Sequence, residues 1–100
     1  MRITFLRTGG FAGMRLSSTV DTQALPAEDA RLLEALVETA GFFKLPASIP
    51  APAGGADRFQ YHIAVEAPAG QHAVDVSETA LPNELKPLVE RLMALARSSH

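Results

Sequence analysis

His62, His72, Glu66, Asp75 and the serines at 17, 18 and 77 are the side chains whose types invite a chemical reading. A histidine beside a carboxylate can move protons, and a serine held against such a pair becomes a nucleophile. The spacing does not assemble these parts. "FQYHIAVEA", residues 59–67, alternates with period two and predicts a strand with Phe59, Tyr61, Ile63 and Val65 inward and Gln60, His62 and Glu66 outward. Pro68-Ala69-Gly70-Gln71 predicts a turn, and His72 to Ser77 the return strand with Val74 and Val76 inward. Setting these valines opposite Val65 and Ile63 puts His62 near Ser77, His72 near Ala67, Asp75 beside Ala64 and Glu66 opposite Ala73. The histidines then stand at different ends of the hairpin. The two carboxylates are diagonal neighbours on a solvated face, without the desolvation that separates the pKa values of a working acid–base pair. There is no HxxxH spacing and no cysteine, so no metal site and no cofactor are expected. None of the serines sits in a glycine elbow. No catalytic residue is assigned, and the chain reads as a non-enzyme.

The second stretch with a chemical question is "RTGGFAGMR", residues 7–15. It lacks the Lys and Ser/Thr of a phosphate loop, and it joins two strands instead of opening a helix. It also sets a large apolar ring, Phe11, where a turn normally carries polar residues. That ring either folds over its own hairpin or meets another protein.

The elements around these residues follow from periodicity. Ile3 and Phe5 alternate along residues 2–8, and Met14, Leu16 and Val20 along residues 14–20. Pairing Ile3 with Val20, Phe5 with Ser18 and Arg7 with Leu16 gathers the apolar residues on one face. That register leaves Gly10-Phe11-Ala12-Gly13 as a four-residue hairpin loop. Pro26 suits the first position of a helix, Glu28 and Asp29 suit its positive end, and Leu33, Leu36, Val37 and Ala40 form its apolar stripe. Gly41 is the expected stop, after which Phe42, Phe43 and Leu45 are expected to pack onto the core. Residues 44–58, with three prolines and two glycines, read as a long irregular loop. Leu85, Leu88, Val89, Leu92, Leu95 and Ala96 stripe a last helix, which Pro87 requires to start nearby.

The halves look alike. At an offset of 56 residues, Ala24-Leu25-Pro26 falls on Ala80-Leu81-Pro82, Leu32 and Leu33 on Leu88 and Val89, and Ile3 and Phe5 on Phe59 and Tyr61. The expected fold is α+β: a pseudo-duplicated ββαββα, with a four-stranded antiparallel sheet and two helices packed on one face. One hundred residues make a single domain, 1–100. Its nine Lys and Arg are scattered under a net charge of −2, so no nucleic-acid partner is expected. The N-terminal "MRITFLRTGG" is too charged for a signal peptide or a membrane span, so no membrane partner is expected either. A chain without cysteine is compatible with the cytoplasm.

"RITFLRTGGFAGMRLSSTVDT", "PAEDARLLEALVETAGFFKLP" and "GADRFQYHIAVE" resemble the emfourin family of inhibitors of thermolysin-like (protealysin-type) zinc metallopeptidases. The resemblance covers nearly the whole chain. Its most specific parts are the GGFAG turn, the helix ending in GFF and the DRFQY lead-in to the third strand. It implies a bacterial, intracellular protein, a monomer when free, that binds and blocks a thermolysin-like metallopeptidase. The alternative is an interaction module that regulates or escorts a partner without blocking it.

The contact residues expected from the sequence are Arg7, Gly9, Gly10, Phe11, Ala12, Gly13, Arg15 and Asp57. Clefts of this peptidase class favour a bulky apolar residue just after the scissile bond, a place Phe11 could take. Gly9, Gly10 and Gly13 would allow close backbone approach and positive φ. Arg7 and Arg15 either meet acidic groups on the peptidase or are solvated strand-end charges. Asp57 either approaches the partner's zinc or forms a local ion pair with Arg58. Steric blockage is the mechanism expected.

Overall fold

The computed structural model describes residues 1–9, 15–49, 59–68 and 70–98. Alternating apolar residues build β1 (Arg2–Gly9), β2 (Leu16–Asp21), β4 (Phe59–Ala67) and β5 (Gly70–Ser77). Helical spacing builds α1 (Ala27–Thr39) and α2 (Lys86–Ser98). A two-residue strand, β3 (Ser48–Ile49), lies between α1 and β4.

The sheet order is β2-β1-β4-β5-β3. The four long strands are antiparallel, as expected, with Ile3 opposite Val20, Phe5 opposite Ser18 and Arg7 opposite Leu16. The sheet nonetheless has five strands and is mixed, because β3 adds parallel to β5. The segment expected to be wholly irregular therefore contributes a ladder, in which the Asp75 N–H donates to the Ala47 carbonyl at 2.8 Å. Two residues between prolines are too short to show periodicity, yet they pair part of the β5 edge that would otherwise stand open.

Ile3, Phe5, Ile63, Val65 and Val74 from the sheet are fully buried against Leu33 of α1 and Leu88 and Leu92 of α2. Both helices thus serve one core on one face. The other face of the sheet carries Thr4, Ser17, Thr19, His62, Ala64 and Asp75, each partly or fully exposed. Helix–sheet packing holds the two central strands, β1 and β4, so the chain that leaves the end of β1 starts from a fixed position.

α1 begins after Pro26, which is its N-cap rather than its first residue, with Glu28 and Asp29 in the first turn. It ends where Gly41 takes a left-handed conformation at φ 61°. A methyl added there meets no atom within 4 Å, so only the backbone opposes substitution. Gly41→Ala should cost about 1 kcal/mol, read as a lower urea midpoint with an unchanged slope. Past Gly41, Phe42 is buried and Leu45 half-buried as expected, but Phe43 remains 43% exposed. At the last helix, Leu85 N–H closes a turn onto the Pro82 carbonyl at 3.0 Å, and Pro87 is the second helical residue, where its missing donor costs nothing.

The repeat is approximate. Two strands and a helix occur twice, but β3, which follows α1, has no counterpart after α2 among the described residues. The offset of 56 also sets Leu32, which is 43% exposed, onto fully buried Leu88.

Candidate partner interface

β1 ends and β2 begins at one end of the sheet. Arg7 is the last β1 residue paired with β2, while on its other side β1 stays paired with β4 out to Gly9 opposite Phe59. Gly9 has φ 86°, a conformation that glycine adopts at little cost and other residues resist. Of the contacts expected from the sequence, Arg7, Gly9 and Arg15 lie on this end. Gly10, Phe11, Ala12, Gly13 and Asp57 fall outside the described residues.

Arg15 is exposed. Arg7 is not the plain solvated charge that one reading of the sequence gives. It shares the helix-side face with Phe5, and its guanidinium carbon lies 4.2 Å from the centre of the Phe59 ring. Its Nε is buried without an acceptor among the described residues. Alternation along residues 59–67 marks Phe59 only as a core residue; its second role as a platform for a cation depends on pairing between β1 and β4, which no local pattern shows.

Tyr61 is the next residue inward, opposite Arg7 and stacked on Phe5 with ring centres 6.0 Å apart. Burial, first, and the nearby Glu78 charge, second, hold its hydroxyl above its ordinary pKa of 10.0, against the opposing pull of Arg7 and Arg97. Because the folded pKa is the higher one, this contribution to stability is complete below pH 10. It is lost as the pH climbs from about 10 through the folded value. The thermal midpoint should therefore fall more steeply above pH 10 in the parent protein than in Tyr61→Phe.

The second hairpin differs from expectation by two residues. Ala67 pairs with Gly70, so only two residues connect the strands instead of four. Val74 faces Ile63, Val76 faces Tyr61, Ala64 faces Ala73, and Glu66 faces Gln71. His62 is consequently opposite Asp75, with Nδ1 2.6 Å from Oδ1. This correction puts Ser17, Leu6, His62 and Asp75 in one row across four strands of the open face. The row is not a catalytic triad. Leu6 stands between the serine and the imidazole, and two strand spacings separate them by roughly 10 Å. The pair is also well exposed, at 42% and 66% of the side-chain surfaces, where an ion pair contributes little.

His72 is used structurally. Its Nε2–H donates to the Leu45 carbonyl at 2.7 Å, and its ring meets Phe42 edge to face. Ser77 is buried, with its hydroxyl 3.2 Å from that of Thr79. Among the described residues no cluster of three or more His, Cys, Asp or Glu could hold a metal ion. No described helix is long and apolar enough to cross a membrane.

Among protein-family models, the emfourin family matches residues 5–93, from within β1 to within α2. The chain belongs to the emfourin family. Emfourins are an inhibitor family, and the match takes in all of β2, α1, β4 and β5, most of β1 and α2, and the residues between β1 and β2. No curated protein and no solved structure matches this emfourin chain.

Proposed function

We propose that the protein inhibits thermolysin-like zinc metallopeptidases by filling the cleft sterically with the turn between β1 and β2. The family match over residues 5–93 carries this reading. The fold supports it: both strands at the turn are hydrogen-bonded to a neighbour, and β1 is backed by the buried core. A plug presented in this way loses little entropy on docking. Phe11 is the apolar anchor of this reading, Gly9, Gly10, Ala12 and Gly13 allow the backbone to come close, and Arg7 and Arg15 flank the contact. Without a cysteine, and with His62 and His72 bonded to Asp75 and the Leu45 carbonyl, the mechanism proposed is steric blockage rather than chelation of the zinc. The free protein acts as a monomer inside the bacterial cell.

The test is hydrolysis of a short peptide by a thermolysin-like metallopeptidase in the presence of the purified protein. Inhibition by protein recovered uncut supports the proposal. Tight binding with undiminished hydrolysis replaces it with the escort module.

A further inference from the structure

We infer that Arg7, held on the ring of Phe59, is a docking site for a carboxylate of the partner. The inference rests on the inhibitory reading above and deepens it by naming the chemistry recognised beside the turn.

Arg7 has an unusual combination of order and lack of a partner. Its guanidinium carbon lies 4.2 Å from the centre of an aromatic ring, the residue is half-buried, and its Nε is covered without finding an acceptor. No hydrogen bond or ion pair to the Arg7 side chain exists among the described residues; the two ion pairs there are His62–Asp75 and Arg91–Asp29. A covered donor left unsatisfied is costly, and native proteins rarely keep one without use.

The surrounding charge points the same way. The chain carries a net −2, yet among the described residues the charges that act on Tyr61, opposite Arg7, are the acid Glu78 and the two cations Arg7 and Arg97. A local excess of positive charge on an acidic protein suits an anionic group on another molecule. The guanidinium fork matches a carboxylate with two parallel N–H donors, and a fork already stacked on a ring gives up little freedom to bind one. Lysine offers a point charge and no plane, so it cannot replace arginine here.

Two experiments separate this inference from the reading beneath it. In the first, inhibition kinetics of a thermolysin-like metallopeptidase are compared for the parent, Arg7→Lys, Arg7→Gln and Phe59→Leu, each checked for an unchanged circular dichroism spectrum. Arg7→Lys should keep the salt-dependent association rate and dissociate at least tenfold faster. Arg7→Gln should lose the salt dependence as well, and Phe59→Leu should reproduce part of the Arg7→Lys loss. An Arg7→Lys variant equal to the parent in both rates overturns the carboxylate site and leaves the inhibitor intact.

The second experiment needs no peptidase. Sodium acetate is titrated into the labelled protein while the arginine Nε–H resonances are followed. A saturable shift of Arg7 with no matching shift of Arg31, on the exposed side of α1, supports the site even if the parent inhibits nothing. Shifts of equal size in both overturn it. The internal rival is Asp57, two residues before Phe59. If Asp57→Asn and Arg7→Gln lower thermal stability equally and the double variant adds nothing, Arg7 is neutralised within the chain and the inference fails.

Discussion

Phe11→Ala weakens inhibition of a thermolysin-like metallopeptidase by about 30-fold, roughly 2 kcal/mol, and leaves the unfolding midpoint in place. Both halves of that result are required. An aromatic ring that fills an apolar pocket in a partner buries on the order of 150–200 Å², and interface anchors of this kind dominate binding energy. The described core is closed by Phe5, Phe42 and Tyr61 among its aromatic members. If Phe11 instead folds over its own hairpin, the substitution lowers stability and spares inhibition. Inhibition constants and urea midpoints measured on one preparation separate the two outcomes.

Phe5→Ala lowers the unfolding free energy by about 3–5 kcal/mol. Phe5 is fully buried in β1, between Ser18 of β2 and Ile63 of β4, and it stacks on Tyr61. The helices hold its surroundings in place, so the space it leaves does not collapse. A domain of this size has a total stability of about 5–15 kcal/mol, so the variant is brought close to unfolding at ordinary temperature. Because Phe5 lies two residues from Arg7 on the same face, inhibition should fall with the folded fraction and recover on cooling. Denaturant melts followed by inhibition assays at two temperatures test this.

Much of the fold was legible because apolar side chains recur with the period of their element. The first hairpin was read in its true register, since pairing Ile3 with Val20 and Arg7 with Leu16 gathers the apolar residues on one face. The second was read two residues out. A shift of two returns every side chain to its own face, so the pattern of Tyr61, Ile63, Val65, Val74 and Val76 is satisfied equally by both pairings. Only the turn decides, and Pro68-Ala69-Gly70-Gln71 is compatible with two connecting residues or four. That error hid the contact between His62 and Asp75. The parallel pairing of β3 escaped for another reason: it is a non-local contact of two residues, and local sequence holds no record of its partner.

At the candidate interface the same limits apply. The positive φ of Gly9 was readable from composition alone. The stacking of Arg7 on Phe59 was not, because it depends on which strand lies beside β1. Leu32 and Phe43 show the converse case, apolar residues in helical or near-helical spacing that the fold leaves exposed. Their positions in sequence resemble those of core residues; only the packing of α1 against α2 and the sheet distinguishes them.

The most direct test of the account is a structure of this protein bound to a thermolysin-like metallopeptidase. In that complex residues 10–13 should be seated over the catalytic zinc, uncut, with the ring of Phe11 in the apolar pocket beside it. A complex in which the peptidase grips α1 or the open face of the sheet, with those residues left in solvent, would contradict the account.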